Sequence, residues 1–298
     1  MTFSIVIPNF NGEELLTENL PSVMALGADE VIVVDDASTD NSLGIIRKFQ
    51  RGTRALASNA ELQIIKNKEN LGFARSVNKG VRVARGDVVI LLNTDVKPQT
   101  GLLEAILPHF KDSKVFGVSF AEDRFSYSRG FWKDGFVEHA PGEKTNETHS
   151  SFWVSGGSAA FKKSVWDKLG ELDDVYSPFY WEDMDISYRA AKRGYKNIWE
   201  PKAKVVHEHE ATIGKYHSRA EINFVQERNQ LIFIWKNITS QRMTSQHIKG
   251  LLARVVKSPG YIRIVLAALS KWGYISKARN IEKKEEVVTD EEIFNKFK

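Results

Sequence analysis

The chain of 298 residues predicts an α/β fold with a mainly parallel central sheet and a C-terminal helical extension. Three observations carry that expectation. Short aliphatic runs alternate with helix-length amphipathic stretches through the first hundred residues; each run ends abruptly in a polar cluster; and beyond residue 237 apolar pairs recur among Lys and Arg. Strands separated by helices of this length form βαβ units, and right-handed crossovers keep such strands parallel.

Phe3–Pro8 reads as the first strand, because it lacks the basic start and long apolar core of a signal peptide. Glu13–Leu26 is a helix carrying Leu15, Leu16, Leu20, Val23 and Met24. Val31–Val34 is an all-β-branched second strand. It runs into Asp35-Asp36-Ala37-Ser38-Thr39-Asp40, where Ser, Thr or Asp caps a helix through Phe49. Leu62–Ile65 predicts a third strand and Ala74–Ala84 a helix. Val88–Leu92, five aliphatics between Gly86 and Pro98, predicts a strand buried on both faces. Phe120–Ser150 is aromatic, polar and weakly periodic, as a variable region or mobile loop would be. Gly156 and Gly157 then interrupt an apolar run, which suits either a close approach of backbone to ligand or a β-bulge. A helix opens at Tyr180–Asp185 and ends near Arg193, Lys204–Glu210 is a strand ending in His207 and His209, and Ala220–Lys236 is a helix.

The polar clusters are Asn9 with Asn11, Asp35 with Asp36, Asn67 through Gly72, and Asn93 with Asp95. Ligands of open α/β sheets bind beyond the carboxyl ends of the strands, so parallel strands would bring all four clusters to one edge. Asp95, held by a rigid strand, is placed to hold a divalent metal against a phosphate. No Gly-x-Gly-x-x-Gly follows the first strand and no Gly-Lys-Ser/Thr loop occurs, which disfavours a dinucleotide site or a P-loop.

A hydrophobic content of 42% and a charged content of 27% suit a soluble globular chain. The absence of cysteine excludes disulfides and thiolate metal sites. No apolar run approaches the ~18 residues of a membrane span. These features predict a cytoplasmic protein. Charge is uneven: Arg242–Lys284 holds ten Lys or Arg against Glu282 alone, a net +9, leaving −5 for the rest of a chain whose total is +4.

Five motifs occur in a telling order: Ile5-Val6-Ile7-Pro8-Asn9-Phe10-Asn11, Val33-Val34-Asp35-Asp36-Ala37-Ser38-Thr39-Asp40, Asn70-Leu71-Gly72-Phe73-Ala74, Leu91-Leu92-Asn93-Thr94-Asp95 and Trp181-Glu182-Asp183-Met184-Asp185. Together they resemble the family 2 inverting glycosyltransferases of the A-type nucleotide-diphospho-sugar transferase fold. The rhamnosyltransferase-like enzymes of surface polysaccharide synthesis are the nearest subgroup. The match spans roughly residues 1–235 and implies a catalytic domain over 1–237, with a nucleotide-binding half (1–98), an acceptor-binding half (99–237), and a basic amphipathic tail over 238–298.

The resemblance assigns roles residue by residue. Asp36 would accept from a ring N–H of the nucleotide base, and Asp35 would turn toward the ribose or the loop. Pro8, Asn9, Asn11, Asn70, Gly72, Asn78 and Asn93 complete the donor site, with Arg75 either in it or merely solvated. Asp95, ending an Asn-x-Asp variant of the usual Asp-x-Asp, would hold Mg²⁺ or Mn²⁺, and His207 would approach that metal or the diphosphate; His209 is expected at the surface. Asp183 is the implied general base toward the acceptor hydroxyl, and crowded carboxylates favour that task. Gly156, Gly157, Trp181 and Glu182 would line the acceptor side, where Tyr180 and Trp181 either face sugar rings or pack as core. Arg228 and Asn229 match a family Arg-Asn pair. No Gln-x-x-Arg-Trp motif of processive members occurs, which implies one sugar per encounter.

The expected reaction is metal-dependent inverting transfer from a UDP-, TDP- or GDP-linked sugar to a glycan or lipid-linked acceptor. The tail, through 242–284, has the make-up of an amphipathic helix on an anionic membrane surface, which would place the protein peripherally on the inner face of the cell membrane. Packing on the catalytic domain or in a homodimer is the alternative; nucleic acid is not expected. Glu282–Lys298 is charge-rich and expected to fray. Two other functions share the pattern: a nucleotidyltransferase making a sugar nucleotide, and an inactive binding scaffold. The first lacks its Gly-rich triphosphate loop here, and retention of Asp36, Asp95 and Asp183 speaks against the second.

Overall fold

The structure, a computed structural model, describes residues 1–55, 61–123, 126–207 and 217–297. Its first part is strand and helix by turns: β1 (Phe3–Asn9), α1 (Glu13–Met24), β2 (Glu30–Asp35), α2 (Ser42–Ala55), β3 (Glu61–Lys66), α3 (Phe73–Val83) and β4 (Val88–Leu92). Every element expected here is present, with α2 continuing to Ala55 rather than stopping at Phe49. The chain goes on through β5 (Val96–Pro98), α4 (Leu102–Ile106), β6 (Val115–Ala121), β7 (Ser128–Lys133), β8 (Phe136–Pro141), β9 (His149–Ser150), β10 (Ser158–Lys162), α5 (Lys163–Leu169), α6 (Glu182–Lys192), β11 (Lys196–His207) and α7 (Arg219–Asn237).

The sheet runs β3-β2-β1-β4-β10-β6-β11-β5, with β9 paired to β11. β1 to β4, β6 and β11 run one way; β10, β5 and β9 run the other. Because β2 lies on one side of β1 and β4 on the other, the connections diverge at β1. That switch point opens a crevice between the ends of β1 and β4. Alternation along the strands feeds two layers. Ile5, Ile7, Val33 and Ile90 pack against Leu16 and Leu20 of α1 and Ile46 of α2. Val6, Val34, Val89 and Leu91 pack against Val77 and Val81 of α3, Trp166 of α5 and Ile186 of α6.

Three expectations are corrected. Among the described residues of Phe120–Ser150, β7 and β8 form a hairpin rather than a mobile loop, Ser128 opposite Pro141 through Lys133 opposite Phe136. Phe136 and Val137 join a third core with Phe152, Tyr188 and Phe233. Its periodicity is weak because two short strands carry aromatic residues on both faces. The tail is not one helix lying free. Ser258-Pro259-Gly260 ends α8 (Gln241–Lys257), and α9 (Ile262–Leu269), α10 (Trp272–Glu285) and α11 (Asp290–Asn295) follow. Val265, Ala268, Ile275, Ile293 and Phe294 are buried in the third core, with α9 and α10 against α7.

Nor does 282–297 fray. Thr289 and Glu292 form a capping box at the start of α11, and Asp290 accepts from the Tyr188 hydroxyl at 2.7 Å. Lys192, wholly buried, pairs with Glu286 at 2.6 Å and Asp290 at 3.4 Å, while Arg193 pairs with Glu282 at 2.8 Å. The acids that read as solvated charge neutralise cations of α6.

Candidate active site

β1 delivers Pro8 and Asn9 to the sheet edge. Asn9 Nδ2 donates to Asp35 Oδ1 at 3.0 Å and to Ser38 Oγ at 3.1 Å. Asn11, at φ 50°, accepts from the Thr39 N–H at 2.8 Å. These bonds lock together the loops after β1 and β2. Asp35 is 0% exposed and faces its own loop, not outward. Asp36 accepts from the backbone N–H groups of Leu71 and Gly72, both at 2.8 Å, and from Asn67 Nδ2 at 2.7 Å. Gly72 stands at φ 83°, the conformation that turns two successive N–H groups onto one carboxylate. Asn70 Oδ1 shares the Gly72 N–H at 3.0 Å. Three donors occupy Asp36, leaving roughly one of its four accepting positions for a ligand.

Arg75 is exposed at the start of α3 and pairs with Asp174 at 2.5 Å. Asn78 is turned inward: its amide donates to the Leu172 carbonyl at 2.8 Å and accepts from the Leu172 N–H at 3.1 Å. It clasps α3 to the segment before α6.

Beyond β4, the Asn93 N–H donates to the Gly157 carbonyl at 2.8 Å. A Cβ on Gly157 would lie 2.3 Å from Asn93 Nδ2, so the glycine answers a close approach of protein to protein. Asp95 Oδ1 is buried without a hydrogen-bond partner, 3.3 Å from His207 Nε2. The other ring nitrogen, Nδ1, lies 3.0 Å from Glu122 Oε1, which also accepts from Ser158 Oγ at 2.6 Å. Burial draws the His207 imidazole down, but the carboxylates of Asp95 and Glu122 outweigh it and raise it to about 9. Among the described residues no group of three or more side chains forms a ready metal cage. The pair nevertheless fits a divalent cation completed by phosphate or water, which would take the place of the proton between Asp95 Oδ1 and His207 Nε2, the far nitrogen of His207 being fixed by a carboxylate. Glu122 was missed by the sequence reading, although Ala121-Glu122 repeats the cue of a carboxylate directly after a strand. His209 lies outside the described residues.

The last part is built at the start of α6. Tyr180 and Trp181 take φ 69° and 81°, a left-handed pair costing about 1–3 kcal/mol each for bulky residues. Asn229 of α7 holds them there, its Nδ2 lying 2.6, 3.0 and 2.9 Å from the carbonyls of Tyr176, Phe179 and Tyr180. Arg228 donates to the Ser177 carbonyl at 2.6 Å. The turn aims Asp183 at the glycine pair: its Oδ2 accepts from the Gly156 N–H at 3.2 Å and its Oδ1 from the Met184 N–H at 2.8 Å. Trp181 packs on Phe233 with ring centroids 5.2 Å apart, as partial core.

Glu182 is 8% exposed and its Oε2 is buried without a partner. Burial, then the Asp183 charge, pushes its carboxyl up to about 8. Burial also raises Asp183, against the pull of the two N–H donors. Asp185 goes the other way: burial opposes its charge, but Lys236 and Arg189 hold it well below the ordinary range. Asp183 faces Gly156 and Glu182 borders Gly72 and Phe73, whereas Asp185 is an anchor.

The pieces are contiguous. Phe73, next to Gly72, and Asp183 both flank Gly156, while Gly157 rests on Asn93. The turn held by Asp36, the end of β4 and Asp183 thus follow one another along one edge.

Solved structures place this architecture among the A-type nucleotide-sugar transferase folds. The chain resembles the mannosyltransferase PcManGT of Pyrobaculum calidifontis, solved with GDP-Man and Mn²⁺, at TM-score 0.58 and 18% identity over 95% of this chain and 83% of that one. TarS 1–349 of S. aureus, solved with UDP-GlcNAc, matches at TM-score 0.60 and 15% identity, covering 95% and 91%. Residues 4–170 match the model of glycosyl transferase family 2, more than half of the chain, and the chain belongs to that family. The poly-beta-1,6-N-acetyl-D-glucosamine synthase of Staphylococcus aureus is 26% identical over 202 residues, 65% of this chain and 47% of the synthase. The chain spans about a quarter to a half of the length of that synthase and of a Sinorhizobium fredii relative.

Proposed function

We propose that the protein is an inverting, non-processive glycosyltransferase of the rhamnosyltransferase-like kind. It moves a sugar from a UDP-, TDP- or GDP-linked donor to a hydroxyl of a glycan or lipid-linked acceptor in surface polysaccharide synthesis, peripherally on the inner membrane face. The observation that carries this reading is the single edge on which Asp36, Asp95 and Asp183 follow one another, bridged by Phe73, Gly156 and Gly157.

The loops locked by Asn9, Asn11 and Asp36 receive the nucleotide, with the remaining accepting position of Asp36 toward the base. Asp183 removes the proton from the acceptor hydroxyl as its oxygen attacks the anomeric carbon. The bond from that carbon to the diphosphate breaks on the opposite side, so the nucleoside diphosphate leaves with the electron pair and the centre inverts. Glu182 and Trp181 border the acceptor. Asp95 and His207 would hold Mg²⁺ or Mn²⁺, which supplies charge neutralisation to a departing diphosphate.

Thermal unfolding with UDP, GDP and TDP sugars plus Mn²⁺ tests the donor, because a ligand of the native state raises its melting point. One strong responder is expected, and a flat response to all removes the donor assignment. Asp183→Asn should keep that melting shift and lose transfer by at least about 10²-fold, the usual scale for a general base. Undiminished transfer by that variant removes the base.

A further inference from the structure

The C-terminal helices carry most of the large hydrophobic side chains exposed among the described residues. Of the fourteen large hydrophobic side chains exposed among the described residues, ten lie from Ile248 to Val287. On α8, Ile248, Leu252 and Val256 recur every four residues; on α9, Ile262, Leu266 and Leu269 recur at four and three. Each trio forms one stripe along its helix. Other sides of the two helices serve the core, where Met243, His247, Val265 and Ala268 are buried. The stripes therefore face away from the protein's own interior.

Charge identifies the occupant. From Arg228 through Ile281 there are ten Lys or Arg and no Asp or Glu. Lys249, Lys257, Arg263 and Lys271 are exposed, each within a few residues of a stripe. Among the described residues no helix is long and apolar enough to cross a membrane. We propose that α8 and α9 dock in the plane of an anionic lipid bilayer, with Leu252, Val256, Ile262 and Leu266 entering the boundary between headgroups and acyl chains. The flanking Lys and Arg would meet the lipid phosphates. A second copy of the chain fits poorly, because a symmetric contact would set one cation-rich face against another. A nucleic acid would neutralise the cations but bury none of the aliphatic stripe. This deepens the peripheral-membrane part of the proposed function, and its test uses neither sugar nor nucleotide, so the two fail separately.

The test is flotation of the full chain with phosphatidylcholine vesicles, with and without phosphatidylglycerol. The wild type should float with the anionic vesicles and stay behind with the neutral ones. Leu252→Gln/Val256→Gln/Leu266→Gln should weaken binding at least about tenfold, and Lys249→Glu/Lys257→Glu/Arg263→Glu by roughly a hundredfold. All six side chains are exposed, and unchanged melting points would verify that both variants fold. Three results would each overturn the proposal: no flotation with anionic vesicles, undiminished flotation of the aliphatic variant, or a wild-type dimer in sedimentation velocity that the aliphatic variant dissolves.

Discussion

Glu182 and Asp183 are neighbours in sequence, yet Asp183 accepts from the backbone N–H groups of Gly156 and Met184, while Glu182 has only its own N–H to set against burial. Glu182 keeps a buried oxygen without a partner, which is why its carboxyl rises to about 8 from an ordinary 4.5. A folded-state value above the unfolded one stabilises the protein fully below about 4.5, and that contribution is lost as pH rises through about 8. Glu182→Gln cannot ionise. Thermal melts from pH 5 to 8 should therefore show the wild type losing stability relative to Glu182→Gln, on the order of a few kcal/mol; parallel curves would contradict the burial argument. At this scale the positions of Asp36, Asp95 and Asp183 at the end or start of a regular element were legible, whereas the roles proposed for them come from the motif resemblance. Glu122 carries the same cue of a carboxylate directly after a strand, but its contact with His207 is visible only once β11 brings that ring beside β6. Asp35 and Asn78 look alike in sequence to ligand-facing residues; their inward turn depends on partners 26 and 94 residues away.

The turn before α6 is the element on which the proposed chemistry rests. Two left-handed aromatic residues in succession persist because α7 overrides local preference, and Asn229 is the clamp. Asn229→Ala leaves three buried carbonyls without that donor and should cost about 1–3 kcal/mol by chemical denaturation. Released, the turn no longer fixes Asp183, so kcat should fall more than the KM for the donor changes. An equal loss of donor affinity would show that the turn serves the nucleotide instead. The parallel half of the sheet was legible, since buried strands between helices have one period and one reading. The β7–β8 hairpin was not: short strands with aromatics on both sides give no alternation to follow. The clamp at Asn229 could be suspected only from motif resemblance, never from spacing.

At the scale of the molecule, helices beyond Asn237 complete the core and its charge balance. Lys192 is buried, and its counter-charges Glu286 and Asp290 both come from the tail. A chain cut after Asn237 leaves that ammonium uncompensated, a loss worth about 3–5 kcal/mol, and uncovers the aromatic side of α7. Such a fragment should aggregate or show rapid proteolysis beside the full chain; equal resistance would mean that the tail is dispensable. The sequence announced a basic helical tail but not this dependence, because a buried ion pair between residues about a hundred apart leaves no local pattern.

One consequence of the sheet order concerns how such enzymes acquire new specificities. β10, from the second half of the chain, is hydrogen-bonded between β4 of the first half and β6, and its register with β4 runs from Ser158 opposite Leu92 to Lys162 opposite Val88. The two halves of the chain are therefore woven rather than hinged. A graft that exchanged one half for that of a relative would sever the middle of the fabric, which leaves the rim loops as the places where new sugars or acceptors can be learned.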